Sequence, residues 1–381
     1  MPSVGTILTF FMTWTLVWWI PLRFLLTGHV PGDDWTLVAF LLLALAPLAP
    51  LLRALIGRRY PSAMIRVLIF RPFWYLLLMM PLVSLAGIVG AAAGWPFGAA
   101  GAVGRWTTTA TAIVLLTLGI VGYFGSRRLR IKPLDLAFPG LPDGFDGFRI
   151  VQLSDLHVGP QTSRRFLARV AHAVEQLDGD LIAITGDQVD DFHEDVALFV
   201  NAFGHLRAPL GVFAIAGNHD VYAGWELVRY GMESAGMRVL VNTAVPLTRN
   251  GSTIWLAGTG DPAASGAGPL PIQGPAPDIG ATLSRVPDRA FIIALAHNPA
   301  LWPLLVERDV QLTLSGHTHY GQFAIPRLGW SIASPFLRLA MGLHRESAST
   351  LYINPGTNHW GLPFRIGTPP EITVITLLRC A

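Results

Sequence analysis

Five polar clusters stand at the ends of short apolar runs in the last two thirds of this 381-residue chain. They are Asp155-Leu156-His157, Gly186-Asp187-Gln188-Val189-Asp190, Gly217-Asn218-His219-Asp220, His297-Asn298 and Gly316-His317-Thr318-His319. Five of the eleven histidines occupy these positions. Hard or borderline divalent metals favour such a mixture of imidazole, carboxylate and amide oxygen. The one-residue spacer in Asp-x-His and His-x-His lets both ligands of a strand end lean to the same side. Glycines ahead of Asp187, Asn218 and His317 permit sharp turns and close backbone approach. Taken singly each cluster is weak: Asp-x-His is ordinary surface sequence, Gly-Asn-His-Asp suits a plain turn, and His297 suits a satisfied core position. The ordered set of five describes a metal centre.

Six apolar runs have strand length, Phe148–Leu153, Leu181–Thr185, Val212–Ala216, Ile254–Ala257, Phe291–Ala296 and Val310–Leu314, and all but Ile254–Ala257 end in one of these clusters. Helical patterns lie between them. In Ser163–Leu177 the residues Phe166, Leu167, Val170, Ala171, Val174 and Leu177 repeat on one face, and Ser163 is placed to cap the start. Asp195–Leu206 and Trp225–Ser234 follow a similar pattern. The alternation predicts an α/β domain with buried sheets, and strand carboxyl ends in such domains present ligand groups to one cleft. The Gly-, Pro- and Ala-rich stretch 259–289 predicts a long loop. No Walker loop or dinucleotide fingerprint appears, because Gly258-Thr259-Gly260 lacks the required context.

The order of the five clusters resembles the calcineurin-like metallophosphoesterases over about 148–378. The ending Leu351-Tyr352-Ile353-Asn354-Pro355-Gly356, with Pro363-Phe364-Arg365-Ile366 and Pro370-Glu371-Ile372, is similar to the membrane-associated bacterial phosphodiesterase branch of that family. Two departures bear on the substrate more than on the metals: Tyr320 stands where a glycine is common, and Asn358-His359-Trp360 interrupts a region usually shorter and glycine-rich. The resemblance implies a two-layer β-sandwich flanked by helices and two divalent ions, with Mn, Fe, Zn and Mg as candidates. One ion would be held by Asp155, His157, Asp187 and His319, the other by Asp187, Asn218, His297 and His317. A bridging Asp187 would keep the ions about 3.5–4 Å apart, close enough to share a nucleophilic hydroxide. His219 is implied as the acid for the leaving oxygen or as a stabiliser of transition-state charge. Asp220 would orient and charge His219, and Asp190 would support the ligands. A ligand role for His219 and plain turn roles for Asp190 and Asp220 stay open. His172 reads as a surface or packing residue, and His193 and His344 as candidates for the cleft wall. Arg365 either contacts a substrate phosphate or, the preferred reading, pairs with Glu371.

The elements ahead of these clusters are of another kind. The chain is 52% hydrophobic and 13% charged, with mean hydropathy +0.48, whereas soluble domains carry about 25% charged residues. Residues 1–133 hold eleven basic and two acidic side chains, a net of +9, and residues 134–381 a net of −6. That split excludes a chain-wide nucleic-acid surface. Cys380 is the only cysteine, so neither an intrachain disulfide nor a thiolate cluster is available. Apolar stretches near 4–25, 35–55, 73–93 and 106–125 each approach the roughly 20 residues a membrane helix needs. Gly94-Trp95-Pro96-Phe97-Gly98 supplies a turn between the last two, and Pro47 and Pro50 would kink the second. No basic region precedes the first stretch, which argues against a cleaved leader.

Arg58, Arg59 and Arg66, and then Arg127-Arg128-Leu129-Arg130-Ile131-Lys132, place two basic loops on one side, the cytoplasmic side by the positive-inside rule. No Asp, Glu or Lys stands mid-span, which argues against an ion or proton pathway. The expected organisation is a four-helix membrane domain over 1–126, a basic Pro/Gly linker over 127–147 and a metallophosphoesterase domain over 148–381. The expected protein is a multi-pass protein of the cytoplasmic membrane with a cytoplasmic catalytic domain. It would hydrolyse a phosphodiester or pyrophosphate bond, with membrane lipids as partners and a lipid-linked substrate favoured by location. A phosphomonoesterase or phosphoprotein phosphatase, and a non-catalytic metal-binding membrane protein, are the alternatives. No ligand of the set is missing, which speaks against the last.

Overall fold

The computed structural model describes residues 4–26, 45–57, 62–190, 192–265 and 273–380, with isolated positions 35, 38 and 42. Two compact units divide the chain, Met1–Val121 and Gly122–Ala381. In the first, the helix Val4–Leu26 packs against the helix Arg71–Gly94. Phe11 meets Phe73 and Trp74, the Trp14 indole donates to the Leu77 carbonyl, and the Ser84 hydroxyl donates to the Trp18 carbonyl. These contacts advance together along both chains, so the two helices run parallel. After a single turn of 3₁₀ helix at Trp95–Phe97, closed by Gly98 in the left-handed region (φ 64°), the helix Ala100–Gly125 turns back. A Cβ at Gly90 would lie 2.0 Å from the Thr107 hydroxyl, so the absent side chain is what lets these two helices approach. Among the described residues, Arg66–Phe97 and Ala100–Gly125 are long and apolar enough to cross a membrane. The expected second span lies largely outside the described residues, which include its end, the helix Leu48–Gly57.

The second unit holds fourteen strands among its described residues. One sheet runs in the order β1-β14-β2-β3-β4-β5, from β1 (Arg130–Phe138), β2 (Phe148–Leu153), β3 (Leu181–Ile184), β4 (Val212–Ala214), β5 (Arg238–Val239) and β14 (Glu371–Arg379). The other runs β12-β13-β9-β8-β7-β6, from β6 (Thr243–Arg249), β7 (Ser252–Gly258), β8 (Ile292–Leu295), β9 (Leu312–Ser315), β12 (Gly342–Glu346) and β13 (Ser349–Ile353). A small hairpin, β10 (Ala324–Ile325) with β11 (Trp330–Ser331), lies outside both.

Alternation along the strands builds two kinds of core. Phe148, Ile150, Leu181, Ala183 and Phe213 point inward and meet Ile254, Leu256, Ile293, Leu295 and Leu312 of the facing sheet. Val151, Leu153, Ile182, Ile184 and Ala214 point outward onto helices Arg164–Glu175, Val196–Phe203 and Asn218–Ser234, through Leu167, Val170, Phe199 and Val228. Both faces of these strands are buried, which is why they read as continuous apolar runs. The fold is the expected sandwich of two sheets with helices outside.

The stretch expected to be a linker is a correction. Residues 130–138 form β1, paired in parallel with β14 from Arg130↔Glu371 to Phe138↔Arg379. Pro133 reads as a linker residue, yet β1 is an edge strand, where a missing N–H costs no ladder bond. The long stretch 259–289 also contains short helical turns, Pro262–Ser265 and Ile279–Leu283.

Candidate metal centre

The adjacent strands β2, β3 and β4 run parallel, as do β8 and β9 across the sandwich, so their carboxyl ends share one rim. Asp155 and His157 follow β2, Asp187 follows β3, Asn218 and His219 follow β4, His297 follows β8, and His317 and His319 follow β9. The two sheets are tied at this rim. The Gln152 amide donates to the Ser315 carbonyl at 3.1 Å, and the His317 N–H donates to the Asp155 carboxylate at 3.0 Å.

All seven expected ligands converge. His157 Nε2 lies 3.0 Å from His319 Nε2, which lies 3.3 Å from Asp155 Oδ1. His297 Nε2 and His317 Nδ1 lie 3.2 Å and 2.8 Å from Asn218 Oδ1. Asp187 joins the two groups: its Oδ2 is 3.2 Å from His297 Nε2 and 3.6 Å from His157 Nε2. The other oxygen, Oδ1, accepts the His219 N–H at 2.8 Å, which fixes the carboxylate plane.

Backbone strain marks the same residues. Asp155, His157, Asp187, His317 and His319 all have positive φ, between 39° and 70°. For side-chain-bearing residues that conformation costs free energy and clusters at functional sites. The glycines do what their positions require: a Cβ at Gly217 would lie 2.2 Å from Asp187 Oδ1, and one at Gly316 would lie 2.1 Å from Asp155 Oδ2.

Electrostatics follow from burial and proximity. Burial raises the Asp155 carboxyl, helped by Asp187, against the pull of His297 and His157. Burial would raise Asp187 too, but His297, His219 and His157 hold it well below the ordinary carboxylate range. Burial and the neighbouring His297 push His317 down to about 4, a neutral imidazole suited to ligation. Buried carboxylates and imidazoles facing one another at these distances form a donor set that fits divalent cations.

Two expected roles change. Asp220 does not address His219. Its carboxylate accepts the N–H groups of Gly217, Asp187, Gln188 and Val189, at 2.8 to 3.2 Å. It stands at the third position of helix Asn218–Ser234, where an acid turns back to bind the exposed N–H groups of the helix start. It is a positioning residue that clamps the β3 and β4 turns together. The acid beside His219 is Asp190, whose Oδ1 lies 3.8 Å from His219 Nδ1 and 3.5 Å from His157 Nδ1. Arg365 does not pair with Glu371, whose carboxylate accepts from the Tyr352 and Thr373 hydroxyls. Arg365 is buried and donates to His319 Nδ1 at 2.9 Å and to the carbonyls of His319, Pro355 and Asn358.

Of the weaker candidates, His172 is exposed beside Glu175. His193 is exposed beside Glu194, and His344 turns to the Met341 carbonyl. None of the three joins the cluster. Trp360, from the departure at 358–360, approaches it, and so do Tyr222 and Asp261, which the sequence did not single out. Trp360 and Tyr222 place rings 5.8 and 5.4 Å from the His219 ring, and buried Asp261, beyond the end of β7, adds negative charge near His297.

Comparison with known proteins agrees with this geometry. A family model described as calcineurin-like phosphoesterase matches residues 148–321. An uncharacterised metallophosphoesterase of Bacillus subtilis is 35% identical over 243 residues, covering 62% of this chain and 81% of that protein. One from Helicobacter pylori is 32% identical, covering 68% and 69%. A zebrafish (Danio rerio) protein described as a transmembrane protein with a metallophosphoesterase domain is 32% identical, and the alignment spans 70% of this chain but 62% of that protein.

Proposed function

This chain belongs to the calcineurin-like metallophosphoesterases, and from that premise we propose that it hydrolyses a phosphodiester or pyrophosphate bond at a membrane surface. The observation that carries the reading is the convergence of seven donors about Asp187, whose Oδ2 faces both His297 and His157. Asp155, His157, Asp187 and His319 would hold one divalent ion, and Asp187, Asn218, His297 and His317 a second. Such a pair supplies an activated water and neutralises phosphoryl charge.

The rest is done by the chain. His219 Nδ1 lies 3.8 Å from Asp190 Oδ1, and His219 is the side chain that gives its proton to the leaving oxygen. Asp190 holds that ring and His157 in place, and Asp220 holds the turns. Trp360 and Tyr222 pack their rings against His219. A lipid-linked substrate is supported by exposed apolar side chains a few residues beyond His319. Ile325, Leu328, Trp330, Ile332 and Phe336 project from the β10–β11 segment, Phe336 being 82% exposed.

We place the catalytic unit in the cytoplasm of a multi-pass protein. Parallel helices Val4–Leu26 and Arg71–Gly94 need a returning segment between them if both cross, and Ala100–Gly125 returns once more. That even number puts both basic loops on one side. Two measurements test the reading. Detergent-purified protein with Mn²⁺ is assayed on a bis-aryl phosphodiester, an aryl phosphomonoester and a nucleotide-diphosphate lipid. Preference for the monoester would overturn the bond assignment. Protease added outside an intact cytoplasmic membrane should leave 134–381 whole, and cleavage there would overturn the sidedness.

A further inference from the structure

A cavity of about 380 Å³ lies away from the metal ligands, lined by Ser126, Arg127, Ser163, Arg165, Arg169 and Asn358 among others, with no carboxylate in its wall. Three arginines therefore contribute to one wall. Arg127 donates to the Tyr123 hydroxyl and lies over the Tyr123 ring, and Arg169 donates to the Arg127 carbonyl at 2.6 Å. Among the described residues none of the three arginines makes an ion pair with Asp or Glu. An uncompensated +3 in a concave site is a place for an anion, and forked guanidinium donors match phosphate oxygens. The helix Arg164–Glu175 starts at the same wall, capped by Ser163, so its dipole has the same sign.

Position in the chain says which anion. Ser126 and Arg127 directly follow Ala100–Gly125, one of the two described helices able to span a membrane. The residues after such a helix stand at the level of lipid headgroups. The cavity is also joined to the metal centre. The Thr162 hydroxyl, in its wall, donates to the His157 carbonyl at 2.7 Å. Asn358 donates to Leu156 O at 2.8 Å and to the Thr162 hydroxyl at 3.1 Å. The cavity wall is therefore hydrogen-bonded to the turn that carries His157.

We propose that this cavity binds the phosphate of an anionic membrane lipid, with Arg127, Arg165 and Arg169 as its donors, and so holds a lipid headgroup beside the catalytic turn. The inference rests on the membrane reading of the helices but not on any substrate. Full-length, metal-loaded protein in a neutral maltoside detergent is titrated with short-chain phosphatidic acid, the matching diacylglycerol and inorganic phosphate. Binding is followed by native mass spectrometry, with no turnover required. Phosphatidic acid should bind, diacylglycerol should not, and inorganic phosphate should bind far more weakly.

Arg165→Glu and Arg169→Glu change exposed side chains. Each should weaken phosphatidic acid by about tenfold or more, the scale of one lost charge-assisted contact, with metal content and melting temperature unchanged. Equal binding by wild type and both variants would overturn the site. Equal binding of diacylglycerol would make the association tail-driven, and inorganic phosphate as tight as the lipid would make the ligand a soluble anion; either overturns the proposal. A chain that stays soluble and monodisperse without detergent would overturn it together with the membrane reading, whereas loss of hydrolysis alone would leave it standing.

Discussion

His297 and His319 stand in the two halves of one metal centre and are prepared for metal in opposite ways. Behind His297, the Thr185 carbonyl lies 2.8 Å from Nδ1, so Nδ1 carries the proton of the neutral ring and Nε2 is the nitrogen that faces Asp187 and Asn218. Behind His319 stands Arg365, which has only N–H groups to offer, so His319 Nδ1 must accept. The neutral His319 ring then carries its proton on Nε2, the nitrogen facing Asp155 and His157, and an ion must displace it. Electrostatics pull against this contrast, since a raised imidazole must lose a proton to bind a metal and a lowered one is already neutral. Burial would lower His297, but Asp187 foremost, then Asp155 and Asp261, draw it well above the ordinary imidazole range. Burial, then Arg365 and His157, hold His319 well below it. By hydrogen bonding alone, the proposed half at His297 is preorganised for ligation and the half at His319 resists it. The tautomers therefore predict two sites of unequal strength.

Asp187 is where the comparison can be broken most severely, because its Oδ2 serves both halves. Asp187→Asn keeps the Oδ1 that accepts the His219 N–H, so the fold should survive with a near-normal circular dichroism melt. Metal content should fall in both halves and turnover should drop to background. Elemental analysis showing wild-type metal, with wild-type turnover, would sink the shared-ligand assignment.

The next effect separates chemistry from ligation. His219→Ala should lower turnover by about 10²–10⁴-fold, the usual scale for a general acid, and leave metal content unchanged. The loss should shrink with a nitrophenolate leaving group, which needs no proton. An equal loss on good and poor leaving groups would assign His219 to charge stabilisation instead. Asp190→Asn should show a weaker version of the same pattern, since Asp190 acts through His219 and His157.

The seven donors were legible in the sequence because they sit at strand ends, where chain order and spatial order agree. Both the sandwich and its covering helices follow from apolar runs buried on two faces. What the sequence concealed has physical causes. Asp220 is the chain neighbour of His219, but at a helix start its carboxylate is drawn back onto free N–H groups, and Asp190 from another turn takes its place. Arg365 lies 46 residues from His319, and no local pattern reports that pairing. β1 was hidden by Pro133, which an edge strand tolerates. The helix Ala100–Gly125 was plain for the opposite reason: Ile113, Val114, Leu116 and Ile120 point outward, so no interior core disguises its apolar length.

The smallest effect is the sharpest test of the two unequal halves. The Thr185 carbonyl belongs to the backbone and cannot be removed by substitution, but Arg365 can be. Arg365→Lys keeps a buried cation while losing the fork that reaches His319 Nδ1 and three carbonyls together. A partner behind a ligand typically shifts metal affinity by about 10–100-fold, and because Arg365 keeps the proton on His319 Nε2, its loss should strengthen the His319 half alone. In wild type, graded chelation should remove metal in two steps, the first from the side of Asp155, His157 and His319. In Arg365→Lys the first step should move to higher chelator concentration and the second should not move. Both steps shifting equally would mean that Arg365 supports the whole rim. A single unshifted step would mean that the two halves bind metal alike, and the contrast between His297 and His319 would have no consequence for affinity.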